Sequence, residues 1–437
     1  MTRSSSGPGH NLHGFFYSPW AMVAVALTIR MMVMAFVLPL QLDPARDHFV
    51  FGYEMGRVAR SIASGQGFSS PYPEYTGPTA LVAPAYPFVL AGIFKMFGIY
   101  STTSAVMSLT LNNLFSALTC APLFLMGWKV FGARVAAGSG WAWALFPYAI
   151  GLSNRWIWDT SLTTLLFTLL VLATLILQES CRWPFWLGYG LLWGGTALFN
   201  PSILVTFPFL GVWLWFRHRR SGMNCNVLMM TSALVCLACL SIWLVRDVRT
   251  FGKFIPLRSN FALEFQVGNS DDTSRPASDR LLPPDNPAEM ERFHQLGEMT
   301  YMAEKQQQVK SFLREHPDRF VSLTVRRIVF LWTGVWSAHP SWDIDDEAGV
   351  PNIIVYSLLS FLAFLGLYRS IQNGVSFAIP LAIILFFFPL LYYVTHPDVR
   401  YRHPIDPEIV LLAAYGALSI GAGRRGDATR SRQDAPR

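Results

Sequence analysis

Ten apolar runs of roughly membrane-spanning length dominate this chain. The first is Trp20–Leu40. The others are Ser104–Trp128, Ala133–Leu152, Thr160–Leu177, Pro184–Phe199, Ser202–Phe216, Val227–Val245, Asn352–Tyr368, Val375–Val394 and Ile405–Ile420. About 20 apolar residues in a helix cross a bilayer core. Lipid offers the backbone no hydrogen bonds, so each run must be a helix or part of a closed barrel. The runs are continuous instead of alternating, which excludes a transmembrane barrel. Only 14% of the 437 residues are charged, against roughly 25% in a soluble domain. That excludes a soluble enzyme, a disordered protein and a small disulfide-stapled domain. The expected fold is an all-α polytopic bundle of about ten to twelve spans.

Two further stretches set the uncertainty in that number. Thr79–Phe97 contains Pro84 and Pro87, and Phe320–Trp336 contains Arg326 and Arg327. Both are read as juxtamembrane or re-entrant helices against the outer leaflet. If both cross instead, there are twelve spans with the same end orientations. Trp20–Leu40 is longer than a signal-peptide core and no Ala-x-Ala site follows it, so it is read as retained.

Basic residues orient the bundle. With ten spans and an inner N-terminus, Arg3, Lys129, Arg182, Arg217, Arg219, Arg220, Arg369 and the arginines of the tail lie inside. The short outer loops hold only Arg155, Arg400 and Arg402. Both termini are therefore expected to be cytoplasmic, with a bacterial inner membrane the natural setting. The same bias accounts for the net charge of +7 without invoking nucleic acid. Of the 27 acids, 16 fall between Arg246 and Pro351. The expected organisation is a transmembrane module over 1–245 with its first outer loop at 41–103. An outward-facing region with a juxtamembrane helix follows at 246–351, then the last transmembrane helices over 352–421 and a basic tail over 422–437. Within the outward-facing region, Pro287–Glu315 reads as one amphipathic helix, with Phe293, Leu296, Met299 and Met302 on its apolar stripe. Cys120, Cys236 and Cys239 lie in spans, and Cys181 and Cys225 in inner loops. No extracytoplasmic disulfide or zinc motif is expected.

Charges in or beside a membrane are costly, so each is weighed as a functional group. In the first outer loop, Asp47 to Arg60 reads as a helix on the membrane, carrying Asp47 and Glu54. A partly desolvated carboxylate there has the properties of a general base; the bland alternative pairs Glu54 with Arg57. Tyr86, in the rigid segment Pro84-Ala85-Tyr86-Pro87, is either a substrate contact or an interfacial anchor. Asp159 is a site residue or a helix cap. The last outer loop carries Arg400-Tyr401-Arg402 on the side where cations are rare. Arginine binds phosphate through two parallel donors and keeps its charge, so a lipid phosphate is the natural partner, and pairing with Asp398 or Asp406 the alternative. Arg30, near mid-span, needs a polar partner in the bundle.

In this order, these residues resemble a GT-C membrane glycosyltransferase, of the family 39 or protein O-mannosyltransferase-like group, which is also similar to the aminoarabinose transferase of lipid A. Four elements carry the resemblance across nearly the whole chain: the loop helix Tyr53–Arg60 followed by Gly65-Gln66-Gly67-Phe68, the Pro84–Pro87 segment, Asp159, and Arg400-Tyr401-Arg402 with Pro404. Gly297–Tyr301 and His316–Phe320 recur in bacterial members. The resemblance implies inverting transfer of a sugar from a polyprenyl-phosphate donor to a hydroxyl of a glycan, lipid or protein. It implies Glu54 or Asp47 as base: Asp47 has the family's residue type, Glu54 the motif context. Asp159, Tyr86 and Tyr401 would lie near the substrates, and Arg400 and Arg402 would hold the donor phosphate. Asn200 stands before Pro201 where many relatives carry a basic residue. No cofactor is read from the sequence, and a divalent metal is left open. The rival reading is a transporter or lipid flippase, which would place its polar groups at mid-membrane beside broken helices.

Overall fold

The computed structural model describes residues 14–41, 51–270, 281–334, 350–396 and 398–433. Asp47 lies outside them, as does most of the Ser270–Pro287 loop. Among the described residues the regular elements are helices, apart from one isolated antiparallel bridge between Ser69 and Pro78. In chain order the helices are α1 Pro19–Gln41, α2 Glu54–Ala63, α3 Ala85–Phe97, α4 Thr102–Leu118, α5 Cys120–Phe131, α6 Ala133–Ala144, α7 Pro147–Arg155 and α8 Thr160–Leu177. They continue with α9 Trp183–Phe199, α10 Phe207–Arg220, α11 Asn226–Phe251, α12 Phe261–Gly268, α13 Pro287–Leu296, α14 Glu298–Glu315, α15 Pro317–Thr333, α16 Val350–Gln372, α17 Ala378–Phe387, α18 Leu390–Val394, α19 Val399–Arg402 and α20 Asp406–Gln433. Proline in the first turn starts α7, α9, α10, α13 and α15, where its missing N–H costs nothing.

The chain is a multi-pass integral membrane protein. Among the described residues, five helical segments are each long and apolar enough to cross a membrane: Pro19–Leu38, Thr102–Phe131, Thr160–Leu177, Asn226–Phe251 and Asn352–Gln372. The other expected runs are also helical; Ile405–Ile420 leads into the 28-residue α20, and the rest are shorter or interrupted. Ala133–Leu152 is split at Leu145 into α6 and α7, and Val375–Val394 is split between α17 and α18. At 13 residues, α3 is about 20 Å long, too short to cross a core of about 30 Å. The single helix expected over Pro287–Glu315 is two, because the chain turns at Gly297 with φ of +70°. Phe293 and Met302 are nonetheless buried, and Phe293 packs edge-on against both Tyr72 and Tyr301. Cys181 and Cys225 are disulfide-bonded, with Cα atoms 5.6 Å apart. The sequence reading placed both in inner loops and paired neither; the tertiary fold brings the two loops together.

Three fully buried arginines hold this bundle at its helix breaks. Arg30 donates to the carbonyls of Trp143 (3.3 Å) and Ala144 (3.0 Å), the last residues of α6, and to Ser116 Oγ (2.9 Å). Arg327 donates to the carbonyls of Gly268, Tyr393 and Val394, at the ends of α12 and α18. Arg402 donates to the carbonyl of Leu331 near the end of α15 (3.2 Å). The last carbonyls of a helix have no partner within it, and its C-terminal end attracts a cation. Each interrupted helix thus supplies acceptors that make a buried guanidinium tolerable.

α16 crosses α20 at close range. A Cβ at Gly366 would run into the Leu412 carbonyl, and one at Gly416 into that of Leu362. Small residues let membrane helices approach to backbone contact. Gly366→Leu is therefore expected to separate the helices and lower stability by about 1–3 kcal/mol, the usual scale of overpacking; thermal unfolding in detergent measures it. An unchanged melting temperature would show the crossing to be looser than described.

Candidate functional site

Glu54, Asp159, Arg258, Glu264 and Arg400, all outside the spans, come together at one end of the bundle. The segment leading into α2 approaches the Asp159 loop at Gly52, whose φ is +71° and where a Cβ would strike the Ile157 carbonyl. Tyr53 follows with φ of +48°, its ring 5.9 Å from Trp158. Glu54 then opens α2, half-buried. Loss of hydration pushes the Glu54 carboxyl above the ordinary carboxylate range. The charges of Arg57 and Arg400 oppose that shift, and Glu264 adds to it.

Arg400 is the cation at the centre. Its guanidinium lies over the ring of Trp158 (4.0 Å) and beside Trp156 and Tyr401. It pairs with Asp398 at 2.8 Å, one of the alternatives left open by the sequence. Its charge acts on both Glu54 and Asp159. Tyr401 stacks on Tyr392 at 4.7 Å, and its hydroxyl lies 3.1 Å from His396 Nε2.

Asp159 is buried and heads α8, but its side chain makes no cap hydrogen bond; it accepts from Thr163 Oγ1 at 3.0 Å. Burial raises its pKa, against the charges of Arg258 and Arg400. Tyr86 is buried, with its hydroxyl 3.4 Å from Asn112 Oδ1. Asn112 in turn donates to the Trp156 carbonyl (3.0 Å), so Tyr86 braces the Asp159 loop from within and is not an anchor at the protein surface.

Arg402 is not brought into this group. It is fully buried, paired with Asp406 at 2.8 Å, and lies over the Tyr356 ring at 4.0 Å. Two residues after Arg400 on a short helix, it faces the bundle while Arg400 faces the cluster. Asn200 accepts from Ser202, whose Oγ in turn accepts from Tyr392 (2.9 Å).

Four members were not found in the sequence: Arg258, Glu264, Tyr392 and His396. Arg258 is half-buried, donates to the Leu81 carbonyl (3.3 Å), and its charge reaches Asp159 and Tyr392. Glu264 lies 3.6 Å from His396 Nδ1. The signal for Arg258 was weak: it is one of many charged residues between Arg246 and Pro351.

Glu298, from the Gly297–Tyr301 motif, fastens the outer segments together. Its carboxylate accepts from Thr79 Oγ1 (2.5 Å), Ala80 N–H (2.9 Å) and Ser259 Oγ (2.6 Å). Ser259 N–H also donates to the Ala80 carbonyl (2.8 Å), which holds Arg258 against Ala80 and Leu81. Arg246 adds donations to the Thr79 (2.7 Å) and Phe68 (3.0 Å) carbonyls, so the Gly65–Phe68 motif belongs to the same frame. Among the described residues, no group of three or more His, Cys, Asp or Glu is placed to hold a metal ion.

The fold matches solved membrane glycosyltransferases. The chain superposes on the Archaeoglobus fulgidus oligosaccharyltransferase in its apo form with a TM-score of 0.52 and 15% identity, covering 96% of this chain and 52% of that one. The same organism's oligosaccharyltransferase AglB, in complex with an inhibitory peptide and a dolichol-phosphate, gives 0.53 and 13% over 96% and 52%. ArnT from Cupriavidus metallidurans bound to undecaprenyl phosphate gives 0.37 and 14% over 95% and 80%. The chain thus spans about half the length of the archaeal enzyme. No protein-family model matches it, and no curated protein matches it by sequence. What the archaeal likeness establishes is the fold: an all-helical bundle resembling the transmembrane domain of GT-C glycosyltransferases.

Two measurements test this arrangement. Replacing Arg402 with Ala leaves Asp406 buried without its cation, and breaking such a pair typically costs about 3–5 kcal/mol; Arg400→Ala should leave thermal stability near wild type. The Glu54 carboxyl, followed by its infrared band against pH, is expected to lose its proton above the ordinary carboxylate range. Glu264→Gln removes a like charge and should move that midpoint down; Arg400→Ala removes a favourable one and should move it up. Shifts of opposite sign would place these groups elsewhere.

Proposed function

We propose that the chain is an inverting glycosyltransferase moving a sugar from a polyprenyl-phosphate donor to an acceptor hydroxyl at the membrane surface. The observation that carries this reading is the meeting of Glu54, Asp159, Arg258 and Arg400 at one end of a GT-C-like bundle. The archaeal AglB structure, whose fold this chain shares, is described in complex with a dolichol-phosphate.

The chemistry follows from the placement. A long isoprenoid tail stays in lipid, so its phosphate and sugar sit at headgroup depth, where these side chains lie. Glu54 accepts the acceptor's hydroxyl proton as that oxygen bonds to the anomeric carbon. The bond from that carbon to the phosphate oxygen breaks on the opposite face, and configuration inverts. A carboxylate with a raised pKa is a stronger base than an exposed one. Arg400 and Arg258 oppose the charge growing on the departing phosphate; Arg400 exchanges part of its pairing with Asp398 for that phosphate. Asp47 remains the alternative base.

Sugar transfer from a polyprenyl-phosphate donor by the purified protein tests the proposal. Glu54→Gln is expected to lower kcat by about 10²–10⁴-fold. Arg400→Ala and Arg258→Ala should each cost about 10²–10³-fold. Asp47→Asn should retain activity; if it alone is inactive, Asp47 is the base. Activity unchanged in every variant would remove this site.

A further inference from the structure

We infer that the cleft between α10 and α11 is a binding site for an anionic diacyl phospholipid in the leaflet opposite the candidate site. α10 and α11 are consecutive in sequence and joined by the short turn 221–225, yet they splay apart: α11 packs on α9, and α10 on α17 and the turn Pro201–Val205. Between them lies an apolar groove of about 430 Å³. Pro208, Gly211, Val212 and Trp215 line one wall, and Met229 and Met230 are on the other. The α10 residues recur at the spacing of a single helix face. Val212 and Met230 are 53% and 64% exposed, and methionine walls adapt to irregular chains.

The groove has a polar end. Arg219, one turn beyond Trp215 on the same face, lies over its ring at 4.4 Å. Arg220 follows on the adjacent face and Arg217 lies on the opposite one; neither Arg219 nor Arg220 makes an ion pair among the described residues. From Pro208 to Arg219 the helix rises about 16 Å, close to half of a hydrocarbon core of about 30 Å. The groove is thus one leaflet deep, with cations where phosphates lie. The polar end is also far from the catalytic cluster: His218 Nε2 lies 2.8 Å from the Leu177 carbonyl, at the opposite end of α8 from Asp159.

An inward bias of basic residues places arginines at such a helix end but does not cut a groove beneath them. Apolar walls one leaflet long, ending in two cations that make no ion pair among the described residues, match a lipid with acyl chains and an anionic head, and basic clefts between membrane helices bind such heads.

Native mass spectrometry on delipidated protein tests the site, using phosphatidylglycerol and phosphatidylcholine with the same acyl chains. Wild type is expected to hold phosphatidylglycerol about tenfold or more tightly than phosphatidylcholine. The combined variant Arg219→Gln and Arg220→Gln should erase that preference. Gly211→Phe, at a position with no atom within 4 Å of an added Cβ, should fill the groove and weaken both lipids with thermal stability retained. Equal affinity for the two lipids in wild type, undiminished binding in the arginine variant, or tighter binding of undecaprenyl phosphate than of phosphatidylglycerol would each overturn the inference. So would a Gly211→Phe protein that keeps wild-type affinity while folded.

Discussion

A guanidinium withdrawn from water needs acceptors, and a helix that ends inside a protein needs donors. In this chain the two requirements answer each other. Arg30 takes the free carbonyls at the end of α6, Arg327 those at the ends of α12 and α18, and Arg402 one near the end of α15 together with the Asp406 carboxylate. Interrupted helices and buried cations are each costly alone; paired, they fix how segments distant in sequence sit together. Arg327 is the connection that matters most for chemistry. By holding α12 to α18 it sets Glu264 beside His396 and Tyr392 behind Tyr401.

The candidate site is assembled on that frame from short pieces with little stability of their own. Loops supply Asp159, Arg258 and His396, and short helices supply Glu54, Glu264, Tyr392 and Arg400. Such pieces hold a geometry only if tied to something rigid. Glu298, Arg246 and Arg327 provide the ties, all three bonding to backbone groups of segments far away in sequence. Burial of Asp159 and partial burial of Glu54, Arg258 and Arg400 then strengthen the charge interactions in the cluster.

Arg400 and Arg402 show how far local sequence reaches. Both stood out as outward cations, and for both a phosphate or a neighbouring aspartate was a sensible partner. The two are separated by half a helical turn, which sends one guanidinium over Trp158 and the other into the bundle against Tyr356. No composition rule distinguishes them, because the difference lies in what each face packs on. Glu54 and Asp159 were visible because a carboxylate beside an apolar run is conspicuous. Arg258 and Glu264 were not, because they sit in a region already rich in charge.

The sequence by itself determined that the chain is a membrane bundle, roughly where its apolar helices run, and which end carries the unusual charges. Those properties follow from hydrophobicity and the cost of charge in lipid, which act residue by residue. Only the tertiary structure decided that Pro287–Glu315 breaks at Gly297, that Cys181 meets Cys225, that Arg402 is a structural ion pair, and that Arg258 joins Arg400 near Asp159. Those outcomes depend on contacts between residues tens to hundreds of positions apart. Packing and electrostatics at such separations are set by how whole helices dock, and no local pattern encodes that.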